Sequence, residues 1–338
     1  MSTKLLRGED DDLRSLLHRE RVLVTGGAGF IGGHVVARLL MVAGALGVLD
    51  DFSAGSWSNL TPSLDHGLAE RDVIEADIRD HTAHAAVVRW APTMIVHLAA
   101  QSKVAASISD PIHDAETNIV GTLRLLAAAR AAGVRYLVAA SSGGTVYGQA
   151  GIGRQCVAEA VRDQPVSPYG IGKATVDDYL ALYRCEYGQR NASLAIGNAY
   201  GPSAAGGPGD GVAAAFVTSL MAGQRPRIQG DGEQTRDFVY VGDVADAFVR
   251  ACAYRPTGRI NIGSGAATSL NQLLHHVAAL LATPKQAHRV PAAPGEVRHI
   301  RLDVSNAARQ LGWRPRTPLH VGLSHVIDAA RAMQAAHH

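Results

Sequence analysis

Cysteine, aromatic side chains and an excess of either charge are all scarce in this chain. Only three of its 338 residues are cysteine and 5% are aromatic, while 32 Lys and Arg face 30 Asp and Glu for a net charge of +2. Cys156, Cys185 and Cys252 lie far apart with no C-x-x-C pair, which excludes a disulfide framework or a structural zinc ribbon and suits the reducing cytoplasm. The basic residues are scattered rather than bunched, so neither nucleic acid nor a membrane is an expected partner, and a small molecule is. The longest apolar stretch, Leu39 to Leu49, falls well short of the roughly 18 residues that span a bilayer. The opening MSTKLLRGEDDD lacks the apolar core of a signal peptide and reads as a solvated arm. No metal site is expected, and His337 and His338 are assigned no role.

What the chain does have is 47% apolar residues, 36 glycines and 14 prolines, enough for a full core in one large domain or about two smaller ones. From Arg21 to about Ala140, short apolar runs alternate with Ala/Leu-rich stretches at helical spacing. The runs are RVLVTG (21–26), ALGVLD (45–50), DVIEAD (72–77), TMIVHLA (93–99) and YLVAAS (136–141). Ile31–Val42, Thr82–Val88, Ile112–Ala131 and Pro168–Tyr187 read as helices. This pattern predicts an α/β fold with a Rossmann-type doubly wound parallel sheet. The Gly/Pro-rich segment Ser203–Gly211 marks a change of character, after which a smaller C-terminal α/β substrate domain is expected.

Residues 22–34, VLVTGGAGFIGGH, place Gly26, Gly27, Gly29 and Gly32 after a β-branched run and at the opening of a helix, the context a dinucleotide fingerprint requires. Backbone without Cβ atoms can turn tightly against a pyrophosphate, and the following helix directs its N–H groups at the phosphates. Asp50 ends the second run, where a carboxylate accepts ribose hydroxyls and repels a 2′-phosphate, so NAD is expected rather than NADP. A glycine-rich turn without a ligand is the alternative.

Downstream lie SSGGTVYG (141–148) and SPYGIGKA (167–174), the second containing Tyr169 and Lys173 as Y-x-x-x-K. Four residues apart on a helix, the ammonium can lie near the phenol, lower its pKa and make Tyr169 an acid/base. A pair of surface residues is the alternative, and the fingerprint upstream weighs against it.

With these motifs in place, the sequence resembles the extended short-chain dehydrogenase/reductases, and within them the NAD-dependent nucleotide-sugar epimerases, closest to UDP-glucose 4-epimerase-like proteins. The resemblance runs through TGGAGFIGGH, LDDFSAG, EADIRD, HLAAQSKV, Asn118 with Gly121, SSGGTVYG, YGIGK, GNAYGP, GDGEQTRDFVYVGDVADA, NIGSG, PGEV and LGWRP. It implies that residues 20–197 form the NAD-binding domain, completed by about 236–263, and that 198–235 and 264–331 bind the nucleotide sugar. It implies a cofactor site of Gly26, Gly29, Phe30, Ile31, Gly32, Asp50, Asp51, Ser53, Asp77, Ile78, Leu98, Ala99, Ala100, Gln101, Asn118, Ser141, Tyr169 and Lys173. Asp77 and Ile78 would flank the adenine, and Asn118 would support the active-site helix. A helix cap for Asp77, a core position for Ala99 and a buried amide for Asn118 are the plainer alternatives. For the substrate the resemblance implies Lys103, Gly143, Gly144, Thr145, Tyr169, Asn198, Val212, Arg236 and Glu296, with Asn198 and Arg236 at the diphosphate and Glu296 at the uridine ribose. A surface salt bridge is the alternative for Arg236. Helices 112–131 and 168–187 would form a homodimer interface.

The sequence departs from the family pattern at Gly143, where a Ser or Thr is common. The missing hydroxyl is expected from Ser142 or Thr145, or Tyr169 acts on the sugar O4 directly, and Gly143 would give the ring space to turn. Ala195, Ser203 and Ala293 stand where arginines are frequent, with Arg289, Arg298 and Arg301 as candidates to compensate, and Lys103 is placed to meet an anionic group. The activity implied is C4 epimerisation of a UDP-hexose, UDP-glucose/galactose or UDP-glucuronate/galacturonate, through a 4-keto sugar. A 4,6-dehydratase or decarboxylase and a non-catalytic NAD-binding module are the alternatives. The Asp-Glu pair of the dehydratases is replaced by Gly144 and Thr145, which disfavours dehydration.

Overall fold

Strands β1 (Arg21–Thr25), β2 (Ala45–Asp50), β3 (Val73–Glu75), β4 (Met94–His97), β5 (Tyr136–Ser142) and β6 (Arg190–Ile196) are the apolar runs of the sequence, with β6 added. A computed structural model describes residues 3–151, 156–292 and 297–336. The remaining strands are β7 (Asn198–Tyr200), β8 (Arg227–Gln229), β9 (Thr235–Tyr240), β10 (Gly258–Ile262), β11 (Ala267–Ser269) and β12 (His288–Val290). Seven of them form one parallel sheet in the order β10-β6-β5-β4-β1-β2-β3. The strand order reverses between β1 and β4, which opens a crevice at their carboxyl ends.

Both faces of this sheet are covered, and for that reason its strands are apolar throughout instead of alternating. Side-chain direction still alternates along each strand. Val22 and Val24 of β1, Met94 and Val96 of β4 and Tyr136 and Val138 of β5 join one core. Leu23, Ile95, Leu137 and Ala139 join the other. The first face is covered by helices Phe30–Leu40 and Val241–Tyr254, and the second by His81–Trp90, Thr122–Ala131 and Pro168–Tyr187. A third core packs helices Gly211–Met221, Leu270–Leu281 and Leu319–Ala336 against Tyr200, Ile228 and Phe238. Among the described residues no helix is long and apolar enough to cross a membrane.

Two expectations are corrected here. The N-terminal segment is not a solvated arm: Thr3–Leu17 is a helix whose Leu13 and Leu17 are buried in the first core. Two of its four acidic residues are paired with distant arginines, Asp10 with Arg38 at 2.8 Å and Glu9 with Arg316 at 2.6 Å and Arg250 at 3.1 Å. The helix expected over 112–131 is not uniform either. Pro111–Ala115 passes through a π-helical stretch, Glu116–Gly121, into Thr122–Ala131, and such bulges often accompany functional sites.

Candidate active site

The crevice between β1 and β4 is built on backbone contact. Gly26 has φ +71°, and a Cβ there would fall 2.4 Å from the Ala99 N and 2.7 Å from the Leu98 carbonyl carbon. A Cβ on Gly32 would lie 2.0 Å from the Gly26 carbonyl oxygen. Only glycine lets the turn, the Leu98–Ala99 backbone and the helix start meet. Helix Phe30–Leu40 carries no side-chain cap and no acidic residue in its first turn, which leaves first-turn N–H groups, including those of Phe30 and Ile31, to donate to an anion. Asp50 closes the turn from β2, its Oδ2 accepting from the Ala28 N–H at 2.8 Å and its Oδ1 from the Phe52 N–H at 2.9 Å. Burial pushes that carboxyl up, against the two hydrogen bonds. A backbone cradle, an uncapped helix and an acid beside it fit the pyrophosphate and adenosine of a dinucleotide.

Other residues expected at the cofactor lie around this crevice with varied local roles. Asp51 Oδ1 accepts from the N–H and hydroxyl of Ser53 at 3.0 and 2.7 Å. Asp77 is engaged by Arg79, with contacts of 2.6 to 3.1 Å that hold its carboxyl below the usual range. Ile78 is buried against Gly121, where a Cβ would come within 2.9 Å of it. Ala100 follows Ala99 in the loop after β4, half-buried. Asn118, buried in the π-helical stretch, accepts from the Gln101 N–H at 3.0 Å and donates to the Gln101 carbonyl and to Asp114 at 2.9 Å each. Gly172 faces it, with a Cβ position 3.5 Å from the Asn118 Cβ. Asn118 thus braces the post-β4 loop against the helix that carries Tyr169 and Lys173.

That helix, Pro168–Tyr187, is specified locally. The Ser167 hydroxyl accepts from the Gly170 N–H, Pro168 opens the first turn, and Gly188 ends it at φ +64°. The Lys173 ammonium donates to the Ala140 carbonyl at 3.0 Å and lies 5.8 Å from the Tyr169 ring centre. Burial lowers its pKa to about 8, opposed by the carboxylates of Asp177 and Asp114. Burial pushes the Tyr169 phenol up to about 12, with a hydrogen bond from Ser142 working against it and Asp114 reinforcing it. The surface-pair alternative is therefore excluded: Lys173 is buried and Tyr169 is half-buried beside a strand end.

Of the two hydroxyls expected to replace the family's Ser or Thr, Ser142 is the one that acts on Tyr169, working to lower its pKa. The Thr145 hydroxyl is buried with no hydrogen-bond partner among the described residues. The space expected at Gly143 is absent, because a Cβ there would meet Leu302 at 2.7 Å and the Ala195 carbonyl at 2.9 Å. The opening lies one residue on. A Cβ at Gly144 would meet nothing nearer than the Asn198 Oδ1 at 3.6 Å and the Ser142 Oγ at 3.9 Å. Asn198 on β7 therefore faces the same space as Ser142.

The remaining substrate candidates are more dispersed. Arg236 on β9 donates to the Thr235 and Val297 carbonyls at 2.9 and 2.7 Å. Val212 packs on the third core. Lys103 is exposed at the start of helix Val104–Ser109. Arg289 donates to Asn271, Arg301 to the Gly265 carbonyl and Arg298 to Asp231. Glu296 and Ala293 lie outside the described residues. Sequence reasoning missed the two buried acids beside Lys173. Asp177 is one helical turn beyond it, a signal open to simple extension of the Y-x-x-x-K spacing, whereas Asp114 arrives from a separate element.

Comparison with known proteins places this arrangement. The chain is 40% identical over 312 residues, 92% of its length and 98% of the relative's, to a UDP-glucose 4-epimerase of Mycolicibacterium smegmatis. The structure of UDP-glucose 4-epimerase from Thermotoga maritima with UDP-glucose is similar at TM-score 0.84 and 34% identity, covering 93% of this chain and 99% of that one. The Thermus thermophilus UDP-glucose 4-epimerase in complex with NAD has TM-score 0.83 and 34% identity, covering 92% and 99%. The sequence pattern of one family matches residues 22–263, a span that takes in the glycine turn, the Tyr169–Lys173 helix and the last strand of the sheet. The chain belongs to the NAD dependent epimerase/dehydratase family.

Proposed function

We propose that this protein is an NAD-dependent UDP-sugar 4-epimerase, acting in the cytoplasm as a homodimer. The observation that carries the reading is the burial of Lys173 on one helix face with Tyr169, 5.8 Å from its ring centre and 3.0 Å from the Ala140 carbonyl, in a chain 40% identical to a UDP-glucose 4-epimerase. Gly26, Gly29, Gly32, Asp50 and the post-β4 loop would hold NAD. NAD bound there would supply the hydride acceptor and donor for sugar C4, which implies a 4-keto sugar between the two transfers.

The residues of the chain handle the proton and the position of the ring. Tyr169 takes the O4 proton as a base and gives it back as an acid. Burial keeps the Tyr169 phenol protonated in the free protein, so the phenolate that acts as the base needs positive charge to hold it, which Lys173 together with the nicotinamide of bound NAD would supply. Ser142 works against the burial that raises the phenol pKa and lies beside the opening at Gly144. Thr145, whose buried hydroxyl lacks a partner among the described residues, is a second donor for a sugar oxygen. Asn198 and Arg236 would hold the diphosphate, with Lys103 and Val212 at the periphery. The domain division proposed is 20–197 with 236–263 for NAD, and 198–235 with 264–331 for the sugar nucleotide; a third core drawn from 200–228, 270–278 and 323–330 favours a separate second part, although Phe238 joins that core and Ala307, Leu311 and Trp313 join the first.

The reading is tested by proton NMR of UDP-glucose, UDP-glucuronate and UDP-N-acetylglucosamine, each incubated with the protein and NAD. The expected result is a new anomeric and H4 pattern from the 4-epimer in at least one tube. A 4-keto-6-deoxy or pentose product would move the assignment to dehydration or decarboxylation.

A further inference from the structure

Three consecutive residues of β5 face helix Pro168–Tyr187. The Ala140 carbonyl accepts from Lys173 at 3.0 Å, the Ser141 hydroxyl donates to Asp177 Oδ2 at 3.0 Å, and Ser142 works to lower the pKa of Tyr169. Tyr169, Lys173 and Asp177 follow at four-residue spacing, so they form one ridge of the helix. The first two contacts in the helix order belong to the proton-handling groups already described. The third has no part in that chemistry as described above.

We propose that Asp177 is a positioning residue for the Tyr169–Lys173 pair, placing a negative charge one helical turn beyond Lys173 and tying the active-site helix to β5 through Ser141. The inference rests on the reading of Tyr169 and Lys173 as the proton-handling pair. Asp177 is held from behind by Arg259 of β10, whose Nε lies 2.7 Å from Asp177 Oδ2 and whose two Nη atoms engage Asp163 at 2.5 and 2.6 Å. Arg259 also lies over the Tyr147 ring, 5.4 Å from its centre. The other carboxylate oxygen of Asp177, Oδ1, is buried with no hydrogen-bond partner among the described residues. An acid so fixed cannot swing to meet the lysine, and acts on it through space.

The other groups facing Lys173 are few. Asp114 approaches from helix Pro111–Ala115 and adds a second negative charge. His97 of β4 is buried between Thr25 and Thr122, and burial holds its pKa at about 3, so it is neutral through the working range. Tyr169 is protonated in the free protein. Burial works to strip the proton from Lys173, and the two carboxylates are what oppose it. Replacing Asp177 by a neutral residue therefore lowers the pH at which Lys173 loses its proton, and leaves the Arg259 charge to push in the same direction.

The chain has four lysines, Lys4, Lys103, Lys173 and Lys285, so the ε-carbon of Lys173 can be followed by carbon NMR in selectively labelled protein and assigned through Lys173→Met. No substrate or cofactor enters this titration, so it reads the proposal even if no UDP-sugar is turned over. The wild-type midpoint is expected near about 8. Asp177→Asn should lower it by roughly one pH unit. The charge-balanced Asp177→Asn/Arg259→Gln form avoids a lone buried guanidinium, keeps the test open if the single variant does not fold, and should also lower the midpoint. Asp177→Glu should restore it. In turnover, Asp177→Asn should lower kcat with KM little changed, and the deficit should deepen as pH rises. A folded variant lacking the carboxylate whose Lys173 midpoint stays within about 0.3 unit of wild type would overturn the proposal and leave Asp177 as a brace for the fold alone.

Discussion

At the scale of single residues, the site depends on atoms that are present at Tyr169 and absent at its glycines. Tyr169→Phe removes one oxygen from a half-buried ring and leaves Ser142 and Lys173 in place. The expected loss is roughly 10²–10⁴-fold in kcat with an unchanged circular dichroism spectrum, and a rate within a few-fold of wild type would remove Tyr169 from the chemistry. The glycines act in the opposite way. Gly32→Ala would drive a methyl to 2.0 Å from the Gly26 carbonyl, so the turn must open, at a cost of about 1–3 kcal/mol and most of the NAD affinity, both measurable by thermal shift with and without NAD. Gly144→Ala meets nothing within 3.6 Å and should leave stability within about 0.5 kcal/mol. Its methyl would enter the space between Asn198 and Ser142, so KM for the UDP-sugar should rise while the melting temperature holds.

At the scale of elements, what could be foreseen depended on whether the partner lay nearby in sequence. The sheet strands were legible because burial on both faces makes each a continuous apolar run, and Pro168–Tyr187 was legible because its cap, proline and terminal glycine are contiguous with it. The N-terminal helix was not, because GEDDD reads as solvated until Arg38, Arg250 and Arg316 are brought to it by the fold. The same reason hid Asp114 beside Lys173 and the filling of the Gly143 position by Leu302. Leu17 gives the element-scale prediction. Its side chain is wholly buried in the first core, and Leu17→Ala should cost about 2–5 kcal/mol in urea unfolding. A change under about 0.5 kcal/mol, within the range of surface substitutions, would mean that the helix does not dock in solution.

At the scale of the whole molecule, helices 111–131 and 168–187 present large apolar side chains to solvent on their outer faces while their inner faces build the second core. Ile112 is 71% exposed, Ile171 52%, Leu182 46% and Val120 41%. Scattered single exposures are ordinary on a monomer, but apolar residues repeated along two adjoining helices are what a subunit interface leaves bare. Ile171 also sits between Tyr169 and Lys173 in sequence, pointing outward from the turn whose inner side carries both, so an interface there would stiffen the helix that positions them. The expected state is a dimer in light scattering at micromolar concentration, and Ile171→Asp should shift it to monomer by placing a charge in a desolvated contact. If the pair of helices is stiffened by association, the monomeric variant should also lose turnover while its melting curve becomes independent of the concentration that raises the wild type's. A wild-type protein that scatters as a monomer would sever that link, and the apolar faces would then need a different partner.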